Sequence, residues 1–224
     1  IAPNAMEMRQ IVAMPHPNAE DESELLIWCG TQGTVSLSRQ ISKALNMPRE
    51  KVHLRSGNVG GGFGYKIFLH PEQLCVSWAA KKLGKTVRWQ QDRSEGFVSD
   101  LQGRDIHSFA KALVSNTGKI KALQFKNQAN LGSWLSNFGV YVPTKSTCRT
   151  LTTLYDISFV SFEVTGVVTN TPAIDAYRGA GRPEANYMME RLMDKIAFDL
   201  KLDRIEVRKA NLIQPEQIPY KTCL

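Results

Sequence analysis

The sequence has no cysteines spaced to share a metal. Cys29, Cys75, Cys148 and Cys223 form no C-x-x-C pair, and His16, His53, His70 and His107 are as dispersed, which excludes a zinc ribbon or a locally ligated iron–sulfur cluster. No apolar run reaches the roughly 18 residues that a membrane helix needs, and no leader pattern is present, so neither membrane insertion nor export is expected of this stretch. A basic block is missing too. The net charge is +7, with 28 basic and 21 acidic residues, yet the cations are scattered, with Lys81-Lys82 and Arg208-Lys209 as pure pairs. Without interleaved aromatics this pattern speaks against nucleic acid and for a solvated surface with a few anion-binding positions.

Two familiar glycine motifs are also absent. No frame between residues 57 and 67 satisfies G-x-G-x-x-G, and Gly84-Lys85-Thr86 follows Ala79 where a P-loop has its first glycine. Dinucleotide and Walker-type phosphate loops are excluded on these counts. What is present is the stretch Gly57-Asn58-Val59-Gly60-Gly61-Gly62-Phe63-Gly64-Tyr65-Lys66. A backbone this bare suits unusual dihedrals and amides turned toward an anion; a surface loop that needs only flexibility has the same composition.

Two further segments add chemistry. In Leu25-Leu26-Ile27-Trp28-Cys29-Gly30-Thr31-Gln32-Gly33-Thr34 an apolar run stops at small polar residues. That leaves Gln32 at a strand end before a helix, either facing a ligand crevice or capping the helix. In Ala176-Tyr177-Arg178-Gly179-Ala180-Gly181-Arg182-Pro183-Glu184 two arginines stand among small residues ahead of a helix opening at Pro183. A guanidinium fork and helix N-terminal amides both suit phosphate or oxo groups, although an arginine in a turn also bridges surface carboxylates.

In order and spacing these segments resemble the molybdenum-binding large subunit of the xanthine dehydrogenase, aldehyde oxidase and carbon monoxide dehydrogenase family. Trp28 to Gln32 is similar to that family's strand ending in Thr-Gln, Gly61-Gly62-Phe63-Gly64 with Lys66 to its GGFGxK loop, and Ala176 to Glu184 to its active-site arginine loop. The likeness runs from the N-terminal motif Asn4-Ala5-Met6-Glu7-Met8-Arg9 to Asn211-Leu212-Ile213.

The resemblance implies a pyranopterin-held molybdenum, in dinucleotide form, with no direct protein ligand. Gln32 would bind the cofactor near an oxygen ligand of the metal, Gly61, Gly62, Phe63 and Gly64 would lie against the cofactor, and Arg178 would contact both the cofactor and the substrate side. Both loops are then expected to face one cavity. The family's catalytic glutamate lies beyond this chain, which would be the first half of the molybdopterin-binding region, the second half being absent. The implied partners are that C-terminal half, an iron–sulfur subunit, a flavin subunit carrying FAD and a small-molecule substrate, in a cytoplasmic oligomer. The isolated chain is expected to be inactive.

Gly179 stands where carbon monoxide dehydrogenases carry a copper-binding cysteine, and Ile67 and its neighbours offer no carboxylate of the purine-oxidising kind. Aldehyde oxidation is the remaining default. The alternatives are a carbon monoxide dehydrogenase-like subunit, a non-catalytic scaffold or assembly protein with the same fold, and a general nucleotide or polyanion binder.

With 224 residues, 42% of them hydrophobic, the chain can bury one sizeable core or two small ones; no linker marks a boundary, so two subdomains are left open. The pattern predicts an α+β fold of mixed sheets with packed helices. Strands are expected at 23–29, 51–55, 86–90 and 157–168, and a hairpin at 104–115 and 120–129 turning on Asn116-Thr117-Gly118-Lys119. Helices are expected at 35–45, with Leu37, Ile41, Ala44 and Leu45 on one face, at 71–83, at 183–200, with Tyr187, Met188, Leu192, Ile196 and Leu200 as its stripe, and at 203–210. Residues 132–150 read as a long excursion near the site or a partner, or as a packed surface loop. The cysteines read as reduced and mostly buried residues of an intracellular protein.

Overall fold

The structure is a computed structural model and describes residues 1–18 and 24–224. The chain divides into two units: Ala2–Leu101, and Gln102–Leu224 together with Ile1.

The first unit carries β1 (Gln10–Pro15), β2 (Leu25–Cys29), α1 (Thr34–Ala44), β3 (Val52–Arg55), α2 (Pro71–Leu83), β4 (Val87–Gln90) and α3 (Arg93–Ser99). Its sheet runs β3-β2-β1-β4, with β2 and β3 parallel across the α1 crossover and β1 antiparallel to both neighbours. Alternation in β1 turns Ile11 and Ala13 inward, where they meet Leu25 and Ile27, Leu37 and Ile41 of α1, and Val76 and Ala80 of α2. Helix α2 starts at Pro71, which needs no N–H donor, and stops at Gly84 in the left-handed region, φ +59.

The expected elements of this unit are found within a residue or two; the Ser23 end of the first strand lies outside the described residues. On α1, Ala44 is exposed and the buried face instead includes Ser38 and Ser42, whose hydroxyls donate to Val52 O and Arg39 O. Strand β1, in the middle of the sheet, and α3 were not expected.

The second unit carries β5 (Ile106–Val114), β6 (Ile120–Gly132), a π-helical turn (Val142–Ser146), β7 (Val160–Val168), α4 (Arg182–Leu200) and α5 (Arg204–Asn211). Strands β5 and β6 form the expected hairpin, and β7 joins β6 in parallel. One face of this sheet, with Ile120, Leu123 and Phe125, packs on Met188, Met189, Met193 and Ile196 of α4 and on Val207 of α5. The methionines are therefore core residues. Tyr187 is not on the stripe expected of it: it is 68% exposed, because Ala185, Met188, Met189, Met193 and Ile196 define the inner face and position 187 falls outside it. Asp203 caps α5 as its sequence suggests, accepting from Ile205 N and Glu206 N.

Of the four free cysteines only Cys29 is buried; Cys148 is half-buried and Cys75 and Cys223 are exposed, which corrects the expectation of mostly buried thiols. Among the described residues no helix is long and apolar enough to cross a membrane.

Candidate cofactor-binding site

In the first unit, Gly30, Thr31 and Gln32 carry the chain from the end of β2 to Gly33, the N-cap of α1. One carbonyl holds this turn: Lys66 O accepts from Thr31 Oγ1 and from Gln32 N, both at 3.0 Å. Gln32 then reaches the glycine loop, its Oε1 accepting from Gly64 N at 2.9 Å. With one lone pair of that oxygen engaged, the carboxamide has its two Nε2 hydrogens to offer a ligand as donors.

The loop backbone takes positive φ at Gly61, Phe63 and Gly64, the kind of winding that produces anion-binding concavities. At Gly64, φ +108, only glycine is free of strain. Among the described residues no acceptor meets the N–H of Gly61 or Gly62. The loop is fastened to Glu7. Lys66, its side chain 1% exposed, pairs through Nζ with Glu7 Oε2 at 2.7 Å and donates to Glu7 O at 2.8 Å, while Gly60 N donates to Glu7 Oε2 at 2.9 Å. Buried His70 donates from Nε2 to Tyr65 O at 2.6 Å, and its own pKa is lowered by burial and by the Arg9 charge.

Burial pushes the Glu7 carboxyl up, but hydrogen bonds from Lys66, Gly60 and Gln10 outweigh it and hold the carboxyl below its ordinary value. Burial, with the Glu7 charge adding to it, pushes the Cys29 thiol up to about 12. Cys29 is therefore a neutral thiol at neutral pH. A cavity of about 630 Å³ lined by Trp28, Arg88, Gly57 and Asn58 opens beside this clamp; neither Gln32 nor Phe63 lines it.

In the second unit, the arginine loop sits between Asp175 and α4. Asp175 is buried and receives Ala176 N and Phe138 N on its two oxygens. Ala180 N donates to Tyr177 O at 2.7 Å, and Ser146 Oγ, from the end of the π-helical turn, donates to Ala180 O. The excursion at 132–150 thus packs against this loop. Arg104 holds the flank: its Nη2 donates to Arg178 O at 2.8 Å, its Nη1 lies 3.1 Å from Glu184 Oε2, and its guanidinium sits 4.9 Å from the Tyr177 ring centroid. Arg182 Nε turns back to Gly179 O at 2.7 Å. Arg178 keeps an exposed side chain on a backbone fixed through its carbonyl. Gly179 has φ +97, and a Cβ there would lie 2.5 Å from Pro183 Cγ.

Residues 1–212 match the family of molybdopterin cofactor-binding domains. The chain belongs to that family. It is 31% identical over 216 residues to the 6-hydroxypseudooxynicotine dehydrogenase complex subunit gamma of Paenarthrobacter nicotinovorans, covering 96% of this chain and 26% of that one. To the carbon monoxide dehydrogenase large chain of Hydrogenophaga pseudoflava it is 32% identical over 206 residues, covering 90% and 25%. Among solved structures, quinoline 2-oxidoreductase from Pseudomonas putida 86 superposes with a TM-score of 0.88 at 28% identity over 97% of this chain and 27% of that one. The chain spans about a quarter of the length of these relatives.

The residues of this molybdopterin cofactor-binding domain fit its cofactor. The glycine loop and the Gln32 side chain that contacts it offer donors, the N–H groups of Gly61 and Gly62 and the Nε2 of Gln32, while the nearby carboxylate of Glu7 is paired with Lys66. An anionic, oxygen-rich group matches such an edge. The structure brings Gln32, Gly61, Gly62, Phe63 and Gly64 together in one unit and fixes Arg178 in the other. In the sequence Glu7 stands out only by its place in a motif, and Arg104 not at all. Their partners lie 59 and 74 residues away, too far for any local pattern.

Proposed function

We propose that this domain contributes cofactor and substrate contacts to the large subunit of a molybdenum hydroxylase that oxidises an aldehyde. Gln32, Gly61, Gly62, Phe63 and Gly64 make the cofactor contacts and Arg178 the substrate contact. The observation that carries this reading is the donor set of the glycine loop, where the N–H groups of Gly61 and Gly62 meet no acceptor among the described residues and the Gln32 carboxamide, its oxygen accepting from Gly64 N, has its Nε2 hydrogens to donate. When bound, the molybdenum group supplies two-electron oxidation chemistry. The chain's own part is to hold that group with fixed dipoles, which cost no reorganisation as charge develops on oxygen, and to present the Arg178 guanidinium to the oxygen end of a substrate.

The proton acceptor, the remaining cofactor contacts, the iron–sulfur clusters and the flavin come from polypeptide beyond this stretch and from partner subunits, in the cytoplasm. Half of a cofactor site cannot offset the ordering of its own loops, so the isolated 224-residue chain retains little cofactor and is silent in turnover. Aldehyde is favoured because the 176–182 loop has no cysteine for copper and no carboxylate follows Lys66 immediately. A second reading, hydroxylation of a nitrogen heteroaromatic ring, is favoured by the relative named as quinoline 2-oxidoreductase.

The test is metal and pterin analysis of the full-length subunit purified with its neighbouring gene products, with dye reduction assayed on aldehydes and on quinoline-type rings. Near-stoichiometric molybdenum and aldehyde turnover are expected, with Gln32→Ala lowering kcat by about 10²-fold, as for loss of one positioned donor. Turnover of the rings alone selects the second reading. Absence of molybdenum and pterin from every combination of subunits replaces both with the scaffold reading.

A further inference from the structure

We infer that Glu7 is a positioning residue for the cofactor contacts: one carboxylate oxygen locks both shoulders of the glycine loop and, through Lys66, aims the Gln32 amide. The inference rests on reading that loop as the cofactor-binding edge. Glu7 Oε2 accepts from Gly60 N at 2.9 Å, ahead of the bare amides, and from Lys66 Nζ at 2.7 Å, behind them. The backbone of Glu7 repeats both attachments, with its N–H donating to Gly60 O at 3.1 Å and its carbonyl accepting from Lys66 Nζ at 2.8 Å. Gln10 Nε2 fills the other carboxylate oxygen at 2.9 Å.

From Lys66 the bonding continues to the donor. Its carbonyl fixes Gln32 N and Thr31 Oγ1, and Gln32 Oε1 returns to Gly64 N. Four hydrogen bonds, 7 to 60, 64 to 32, 32 to 66 and 66 to 7, together with the loop backbone from 60 to 64, thereby close a ring in which the single anion is Glu7. The carboxylate also fills the space over the β2 turn: a Cβ at Gly30 would lie 2.9 Å from Glu7 Oε2. Glu7 itself stands on fixed ground. Arg9, two residues on, is buried against Asp100 at 2.7 Å and Glu72 at 2.8 Å, and Ala5, two residues before, is fully buried with its carbonyl held by Arg93 Nη1.

The anion therefore acts on the loop and not on the ligand. Without it the Lys66 ammonium is left buried and uncompensated, and the loop shifts to satisfy it. The bare N–H groups of Gly61 and Gly62 then lose their common placement.

The experiment uses the full-length large subunit and compares Glu7→Gln and Glu7→Ala with wild type, Gln keeping the side-chain volume and one acceptor in case Ala prevents folding. Amide hydrogen exchange is read at residues 60–66 in cofactor-free protein, and molybdenum per chain after maturation with the partner subunits. Loop exchange should rise about tenfold or more in Glu7→Gln, with α4 and α5 unchanged, and molybdenum retention should fall by about tenfold, with Glu7→Ala further along both scales. Unchanged loop exchange, or faster exchange with wild-type molybdenum content, overturns the inference. A wild-type subunit that never holds molybdenum, in which loop exchange still responds to Glu7→Gln, overturns the cofactor reading and leaves the clamp intact.

Discussion

The glycine loop and the arginine loop are both short connections wound partly through left-handed backbone, and each is fastened by an ion pair distant in sequence, Lys66–Glu7 and Arg104–Glu184. The fastening differs in depth. At the glycine loop, Lys66 is 1% exposed and Glu7 20%, and the pair leaves the N–H groups of Gly61 and Gly62 without an acceptor among the described residues. Beside the arginine loop, Arg104 is 23% exposed, holds a carbonyl rather than an amide, and draws part of its attraction from the Tyr177 ring. The two anions are similarly covered, Glu184 at 10% and Glu7 at 20%, so the contrast lies in the cations: a fully buried ammonium depends wholly on its partner, while a guanidinium that reaches solvent depends on it less.

The largest expected effect breaks the buried pair. Lys66→Met leaves the Glu7 carboxylate without its cation and should cost about 3 kcal/mol in urea unfolding. Arg104→Met, measured alongside, should cost about 1 kcal/mol, the scale of a partly solvated ion pair with a cation–π contact. Equal losses would erase the distinction drawn between the two loops.

Between these falls Gly179→Cys, which forces a side chain onto φ +97 and against Pro183 Cγ. A loss of about 1–3 kcal/mol is expected, together with no stoichiometric copper by metal analysis; a stable variant that binds copper would show that the arginine loop is adaptable.

The smallest effect is on pH dependence. The folded-state pKa of Glu7 is lowered, so its contribution is fully present above the ordinary value of 4.5 and is lost as pH falls through the lower folded value. Urea midpoints between pH 7 and pH 3 should fall less steeply in Glu7→Gln than in wild type. Identical slopes would remove the Glu7 charge from the comparison.

The sequence disclosed those parts of the fold that local rules govern. Pro71 and Gly84 bracket α2, Asp203 caps α5, and the turn around Gly118 closes the β5–β6 hairpin. Strand β1 escaped because QIVAMP is short and ends at a proline, while its place in the middle of the sheet depends on pairing with β2 and β4. Helix α3 escaped because seven residues with Gly96 inside carry no periodic stripe; Asp92 accepting from Glu95 N was its one legible mark. At the site, Gln32, the glycines and Arg178 were readable as a motif. What fixes them was not, since Glu7 and Arg104 act across distances that only the folded chain makes short.

Two glycines of the loop are held to glycine by different constraints, and this bears on how the loop can drift among descendants. Gly64 is fixed by its own backbone, φ +108, whatever surrounds it. Gly62 has no such backbone; a Cβ there would meet Gln32 Oε1 at 2.5 Å and Gln32 Cδ at 2.6 Å. Position 62 is therefore a tenant of position 32. In lineages where the residue at 32 has become small, side chains at 62 should appear with it, while 64 stays glycine throughout.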